Sequence, residues 1–505
     1  MNKLSESARQ LQDLLVDRLA GLKLIVVSNR EPYIHRFRGP EVECVRPASG
    51  VTAALDPVLR ACGGVWVAHG SGDADQAFAD SHSRVAVPPE DPSYTLRRVW
   101  LSKRQENDYY YGAANQALWP LCHVVFTRPV FDDAQWQTYR EVNELFADAV
   151  LEEAGGEPAL VFVQDYHLAL LPGILKRRAS NLAIAQFWHI PWPNAETFRV
   201  CPWVKEILDG LLANDLLGFH LQYHCQNFIE TVDRTLEMRL DRELSDIIHG
   251  GKRTAVRPFP ISIDFAAHEL TAESAETVRA MARWRRQLHI DNAIFGIGID
   301  RLDYTKGLPE RFRAIDRLLE LQPELAGRLV FLQIGVPTRT NLPEYQRAEE
   351  EVERLAKSIN WRWGSGAWRP IIFLKEHMNQ VEMAALHRLA HFCLVTSLHD
   401  GMNLVAKEFV ASRTDGDGVL ILSRFTGAAR ELTEALLVNP YSADECARAI
   451  QRAITMPEDD RRQRMRWLRT VVADNDIYRW VSAITSTLVG LRAARDLRPL
   501  PAEAQ

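Results

Sequence analysis

Arg301 and Lys306 stand five residues apart in "DRLDYTKGLPERF" (300–312), directly after the apolar run "AIFGIGI" (293–299). A buried strand that ends on two cations calls for an anion nearby. A second constellation lies in "SLHDGMNLVAKEFVASR" (397–413), after the strand-like "CLVTS". Asp400 and Gly401 precede a helix whose first turn carries no bulky cap, so its backbone N–H groups are expected to point outward as an anion site. Arg301 and Lys306 opposite it would supply the countercharge for a diphosphate. Glu408, eight residues beyond Asp400, sits a little over two turns along the same helix and suits hydroxyls on another part of a long ligand. The competing reading pairs the two cations with Asp303 and Glu310 as ordinary salt bridges.

A third group comes from the first half: "SNR" (28–30), "VQDYHL" (163–168) and "FWHIPWP" (187–193), each at a strand end. They would bring Arg30, Asp165 and His189 together, although a lone His before Ile-Pro is more often structural. Trp66, Tyr110 and Trp119 are candidates for holding the apolar face of a sugar ring, and equally candidates for the core. Other motifs fail on spacing. "GIGIDR" and "HGSGDAD" lack the third glycine of a dinucleotide fingerprint, and "GGKRT" lacks the leading glycine of a P-loop. "TDGDG" (414–418) precedes a strand and reads as a turn. His220 and His224 have helical spacing but no third ligand, so no metal site is expected.

These residues need elements to hold them. Short β-branched runs alternate with longer segments of helical period: 24–28, 160–164, 183–190 and 215–220, then 293–299, 328–335, 371–374, 393–397, 418–422 and 435–439. Alternation of this kind predicts parallel sheets with helices on both faces. The stretch from about 225 to 290 reads as polar and mainly helical. The expected architecture is α/β, with two doubly wound Rossmann-like domains facing across a cleft. Residues 1–262 form the first domain, 263–475 the second, and 476–505 a closing helix, free to pack back on the first, with a polar tail. Ser442 with Glu445 forms a capping box before "ADECARAIQRAI". Ligands in such sheets bind beyond the carboxyl ends of the strands, so the cleft is the expected site.

Composition narrows the class further. A 505-residue chain with 47% hydrophobic and 25% charged residues is an ordinary globular protein. A formal net charge of −6 gives no basic excess for nucleic acid. The seven scattered cysteines form no disulfide framework or zinc ribbon. No secretory leader or apolar run of membrane-spanning length appears, so a soluble, cytoplasmic protein is expected.

Taken together, "RLDYTKGLPERF", "DGMNLVAKE", "DYHL" and "HIPWP" resemble the trehalose-6-phosphate synthase family, retaining glucosyltransferases of GT-B architecture; the resemblance runs from "VSNR" to "NPY" at 439. It implies that Arg301 and Lys306 hold the donor diphosphate. It implies that Asp400 and the amides of Gly401, Met402, Asn403 and Leu404 hold the donor glucose and phosphate. Glu408 would take the ribose, His189 would lie beside the donor glucose, and Ile334 and Met378 would flank the base. Gly50 lies in a loop over the donor phosphates. On the acceptor side it implies Arg30, Trp66, Tyr110, Trp119, Asp165 and Arg339, with the two arginines on the phosphate of glucose 6-phosphate. The implied catalytic set is Arg301, Lys306, His189 and Asp400. No metal or cofactor is implied, since the nucleotide sugar is a substrate.

Three departures stand out. Ser49-Gly50 replaces a pair of glycines, Gln164 stands where His is usual, and "REPY" (30–33) resembles a sister branch that makes glucosylglycerol-phosphate from ADP-glucose and glycerol 3-phosphate. With no phosphatase domain following, the product is expected to stay phosphorylated. UDP-glucose is the favoured donor, although the base is not readable. The sister transferase, a pseudo-glycosyltransferase and a non-catalytic sugar-phosphate sensor stay open as alternatives. Expected partners are small molecules, with no nucleic acid and no membrane; a homo-oligomer stays open.

Overall fold

The computed structural model describes residues 6–19, 22–47, 50–241 and 245–497. Ser49 and the tail beyond 497 lie outside the described residues. The chain forms two compact units, Met1–Ile261 with Ile477–Gln505, and Ser262–Asp476.

The first unit contains strands β1 (Lys23–Arg30), β2 (Ile34–Arg38), β3 (Glu41–Val45), β4 (Val65–His69), β5 (Arg84–Val87), β6 (Tyr94–Val99), β7 (Ala159–Gln164), β8 (Ala183–Phe187), β9 (Leu216–Phe219), β10 (Arg239–Asp241), β11 (Asp246–His249) and β12 (Lys252–Pro258). Ten of them form one sheet in the order β10-β11-β12-β9-β8-β7-β1-β4-β6-β5, while β2 and β3 pair as a separate hairpin. From β12 to β6 neighbouring strands run parallel; β5, β10 and β11 are antiparallel edges. β1, β4, β7 and β8 are almost wholly buried, the signature of a sheet covered on both faces. Arg239–Asp241, Asp246–His249 and Lys252–Pro258 correct the helical reading of that region. They are strands, the last two joined by a turn at Gly250 and Gly251, both at positive φ. Their one-sided burial at the sheet edge leaves polar residues where a central strand would be apolar.

The closing helix, Ile477–Leu497, belongs to the first unit. Trp480 packs against Phe162 of β7 and Phe187 of β8, with ring centroids 5.7 and 4.8 Å away, and its indole N–H donates to the Phe259 carbonyl at 3.0 Å.

The second unit has strands β13 (Ile294–Arg301), β14 (Leu329–Val336), β15 (Ile371–Leu374), β16 (Phe392–Val395), β17 (Val419–Ser423) and β18 (Leu436–Val438). They form one six-stranded parallel sheet, β15-β14-β13-β16-β17-β18. β13 lies at its centre, so the strand ending on Arg301 is the one around which the sheet order reverses, where such folds bind ligands. The core joins Phe312, Ile315 and Leu319 of the Leu308–Leu321 helix to Phe331, Leu394 and Ile421 of the strands. Only half of the expected capping box forms at Ser442. Its hydroxyl accepts from Glu445 N–H, but the Glu445 carboxylate turns to the Asn439 N–H and Arg424.

Candidate active site

In the second unit, β13 delivers Arg301 to its carboxyl end and the chain turns through a short 3₁₀ segment, Tyr304–Lys306. Asp303 holds this turn: its carboxylate accepts from the Thr305 N–H at 3.1 Å and the Thr305 hydroxyl at 2.9 Å. Burial pushes the Asp303 carboxyl up, but Arg339, Arg301 and Lys306 outweigh it and hold the group below its usual range. Three cations therefore converge on this corner. Gly307 follows at φ 62°, and a Cβ there would lie 2.2 Å from the Thr396 carbonyl, so glycine is required both by conformation and by space.

Lys306 reaches the Asp400 carboxylate at 2.5 Å, not Asp303 or Glu310. The same Asp400 oxygen accepts from the Ser397 hydroxyl at 3.1 Å and the Asn403 amide at 3.2 Å. The helix after it spans Leu404–Ser412, and its tip is not bare as the sequence suggested. Asn403, at φ 80°, caps it by accepting from the Ala406 N–H at 3.1 Å. Asparagine tolerates that backbone conformation and caps well, which is why it stands there. The earlier amides of the first turn, Leu404 and Val405, have no intrahelical carbonyl to serve. The segment before them is stitched to the loop after β17 by Asp400 N–H to the Phe425 carbonyl and Gly427 N–H to the Asp400 carbonyl, both 3.1 Å.

Deeper in, Arg311 is wholly buried and ties three strand ends together. It donates to Asp300 at 2.7 Å, Gln333 at 2.8 Å and Thr396 at 3.0 Å. Glu408 lies on the Leu404–Ser412 helix, and burial pushes its carboxyl up, with His268 opposing. Met378 is buried beside the start of the Gln380–Leu389 helix. Ile334 is fully buried within β14, so its side chain supports the sheet and presents no face to a base in this structure. Arg339 sits in this unit as well, donating to the Tyr345 hydroxyl and lying 3.5 Å from Asp303.

In the first unit, Arg30 at the end of β1 donates to the Tyr110 hydroxyl at 2.7 Å. Tyr110 stacks on His167, with centroids 5.7 Å apart, and rides on a wide π-helix, Glu106–Leu118. π-Helical turns are rare and recur at functional sites. Asn115 donates to the Tyr110 carbonyl at 2.6 Å and accepts from the Tyr166 hydroxyl at 2.7 Å, which fixes the π-helix to the Asp165–Tyr166 segment. Asp165, at φ 71°, accepts from the His189 backbone N–H at 3.1 Å. The His189 ring meets the Gln164 side-chain oxygen at 2.9 Å, and burial alone pushes its pKa down to about 3. Gly50 opens the Gly50–Cys62 helix, whose Asp56 accepts from both Tyr33 and Tyr94 hydroxyls.

Two of the aromatic residues assigned to the acceptor are buried side chains. Trp66 is 0% exposed in β4, with its indole N–H donating to the Ser28 hydroxyl at 2.8 Å, and so braces the end of β1 before Arg30. Trp119 is buried against His123 and Tyr166. In "REPY", Glu31 is buried against Arg98 and Tyr33 against Asp56. His220 donates to the His189 carbonyl at 3.1 Å with Nε2, and no metal-binding group forms among the described residues. Ser397, Gly427 and Asn115 were not legible as site residues, although a glycine after the apolar run of β17 is a signal of close approach.

Two largely parallel, doubly wound sheets, one carrying a cation cluster beside a helix N-terminus, define a glycosyltransferase of the GT-B class. The chain belongs to glycosyltransferase family 20, whose model matches residues 22–489. It is a hexosyltransferase of the trehalose-6-phosphate synthase type. A trehalose-6-phosphate synthase of Mycolicibacterium vanbaalenii is 37% identical over 483 residues, covering 93% of this chain and 96% of that protein. A bifunctional trehalose-6-phosphate synthase/phosphatase of Thermoproteus tenax is 37% identical over 487 residues; the match takes in 94% of this chain and 64% of that longer protein. Among solved structures, an α,α-trehalose-phosphate synthase (UDP-forming) from Burkholderia xenovorans, in complex with glucose 6-phosphate, matches with a TM-score of 0.83 and 30% identity, covering 92% of this chain and 99% of that one.

Proposed function

We propose that the protein transfers glucose from a nucleoside-diphosphate glucose, UDP-glucose by preference, to the anomeric hydroxyl of glucose 6-phosphate. The product is α,α-trehalose 6-phosphate, formed with retention at the donor carbon. The observation that carries the reading is the Lys306–Asp400 pair with Arg301 at the end of β13 and an Asn403-capped helix tip beside it. As the bond from glucose to the diphosphate breaks, negative charge grows on the leaving oxygen. Arg301, Lys306 and the Leu404 and Val405 amides are the groups that stabilise it. Asp400, held in place by Lys306, Ser397 and Asn403, is assigned to a hydroxyl of the donor glucose. Attack comes from the same face as the departing phosphate, which takes the acceptor's proton. A double displacement would instead need two carboxylates about 5 Å apart flanking the bond.

On the acceptor, Arg30, held by Tyr110, is assigned to the phosphate and Asp165 to sugar hydroxyls; Arg339 keeps its phosphate assignment on the resemblance. Glucose 6-phosphate is supported by the Burkholderia xenovorans relative, which is UDP-forming and bound to that sugar phosphate.

The test is direct. The purified protein is incubated with UDP-, ADP- or GDP-glucose and with glucose 6-phosphate or glycerol 3-phosphate, and the product is identified by NMR. An α,α-linked disaccharide phosphate is expected. Turnover only with glycerol 3-phosphate would move the protein to the sister activity, and nucleotide-sugar binding without turnover would make it a sensor.

A further inference from the structure

We propose that Gln164 is a positioning residue: its side-chain oxygen fixes the His189 imidazole as the Nε2–H tautomer and leaves Nδ1 as a neutral acceptor for a donor-sugar hydroxyl. The sugar half of this statement rests on the function proposed above; the tautomer half does not.

Gln164 is the last residue of β7 and is 1% exposed. The parallel register sets it opposite Phe187 of β8, two residues before His189. Its amide nitrogen donates to the Phe162 carbonyl at 3.4 Å, which leaves the amide oxygen as the end 2.9 Å from His189 Nε2. An amide oxygen only accepts, so the proton of that contact belongs to Nε2. Burial keeps the ring neutral at ordinary pH, with a single N–H, and Nδ1 is left with a lone pair and no hydrogen-bond partner among the described residues.

The ionisable neighbours do not compete for the ring. Asp165 accepts from the His189 backbone N–H. His220 donates to the His189 carbonyl through Nε2 and accepts the Ile261 N–H at Nδ1, so both its ring nitrogens meet backbone groups. Phe187, His220 and Trp480 otherwise wall the imidazole, with centroids 4.7, 5.6 and 6.3 Å away. The choice of an amide is therefore consequential. A carboxylate at 164 would favour the imidazolium and turn Nδ1 into a donor. An apolar side chain would leave the tautomer unfixed.

The experiment is long-range proton–nitrogen NMR on protein labelled at its histidine rings, with His189→Asn used to assign the His189 signals. Wild type is expected to show Nε2 protonated and Nδ1 bare throughout the neutral range. In Gln164→Glu the ring should pick up a second proton on the acid side, and kcat/KM for the nucleotide sugar should gain an acid limb that wild type lacks. In Gln164→Leu the two tautomers should mix, and that kcat/KM should fall about five- to tenfold, with the acceptor KM unchanged.

A wild-type ring protonated at Nδ1, or ring signals indifferent to both substitutions, overturns the proposal. Should Gln164→Leu fail to fold, the near-isosteric Gln164→Glu and the wild-type spectrum decide alone. Expected ring signals in a protein without transferase activity would sink the proposed reaction while leaving the tautomer assignment standing.

Discussion

At the scale of single residues, Arg301 and Lys306 are not equivalent. Lys306 is the partner of Asp400, whereas Arg301, half-buried at the strand end, is one of the cations that hold the Asp303 carboxyl down. Arg301→Ala is expected to lower turnover by about 10²–10³-fold, the usual cost of losing one group that meets developing charge. Lys306→Ala should lose turnover and stability together, because the largely buried Asp400 carboxylate loses its countercharge. Steady-state kinetics and calorimetry on the same preparations separate the two. A different pair governs pH. Glu31 and Asp75 are buried carboxyls sharing Arg98, at 2.9 and 2.8 Å. Burial first, then Asp75, pushes the Glu31 carboxyl up from 4.5 to about 8, while its hydrogen bonds with His35 and Glu31 carry Asp75 the other way against burial. The folded protein thus keeps a proton on Glu31 that the unfolded chain releases above 4.5. Stability from this group is complete below about pH 4.5 and is lost as pH rises towards about 8. The Asp75 contribution has the opposite sign and is lost only in acid, below its ordinary 3.8. Glu31→Gln mimics the protonated form, so it should flatten the fall in thermal midpoint across that window and exceed wild type at its alkaline end. A variant that tracks wild type at every pH would refute the assignment.

At the scale of elements, the donor corner depends on backbones that approach too closely for side chains. A Cβ on Gly427 would lie 2.0 Å from the Gly401 carbonyl, so Gly427→Ala must push the 400–402 segment away from the loop after β17. The expected result is a loss of about 1–3 kcal/mol in denaturant titration. A raised KM for the nucleotide sugar and an unchanged KM for the acceptor should accompany it; an equal rise in both would place the effect elsewhere. This contact also shows where a sequence stops speaking. Strands such as β13, β14 and β17, continuous in apolar residues, were legible because burial on both faces leaves nothing else to read. β6 was not, since Arg97 and Arg98 break its pattern, and Arg98 is buried only because Glu31 and Asp75 meet it from distant parts of the chain. The cations at 301 and 306 were legible from spacing after a strand, but their partner was not: Lys306 finds Asp400 across 94 residues. Trp66 was left between two readings because residue type alone cannot tell a sugar platform from a core side chain. Gln164 was legible only as a departure from the usual histidine, since its meaning lies in a hydrogen bond to a residue just past the neighbouring parallel strand.

At the scale of the whole molecule, the first unit is discontinuous. The chain leaves it after Ile261 and returns at Ile477, so the integrity of that unit rests on a helix that follows the whole of the second unit in sequence. Trp480 is the anchor: it is buried against β7 and β8 and bonded to the Phe259 carbonyl, next to the strand ends that carry Asp165 and His189. Removing a large buried ring typically costs about 3–5 kcal/mol, part transfer and part cavity, with the indole hydrogen bond lost as well. The second unit has its own core, built from helices and strands between Leu302 and Met456, and takes nothing from this tryptophan. Trp480→Ala is therefore expected to lower the unfolding temperature of the first unit while the second keeps its own. Nucleotide sugar should protect chiefly the second unit, because ligand that binds only the native form stabilises the element that holds it. Differential scanning calorimetry with and without UDP-glucose reads both effects at once. If Trp480→Ala shifts a single cooperative transition as a whole, or if the nucleotide sugar protects the lowered transition equally, the assignment of the donor grip to an independently folded second unit is wrong.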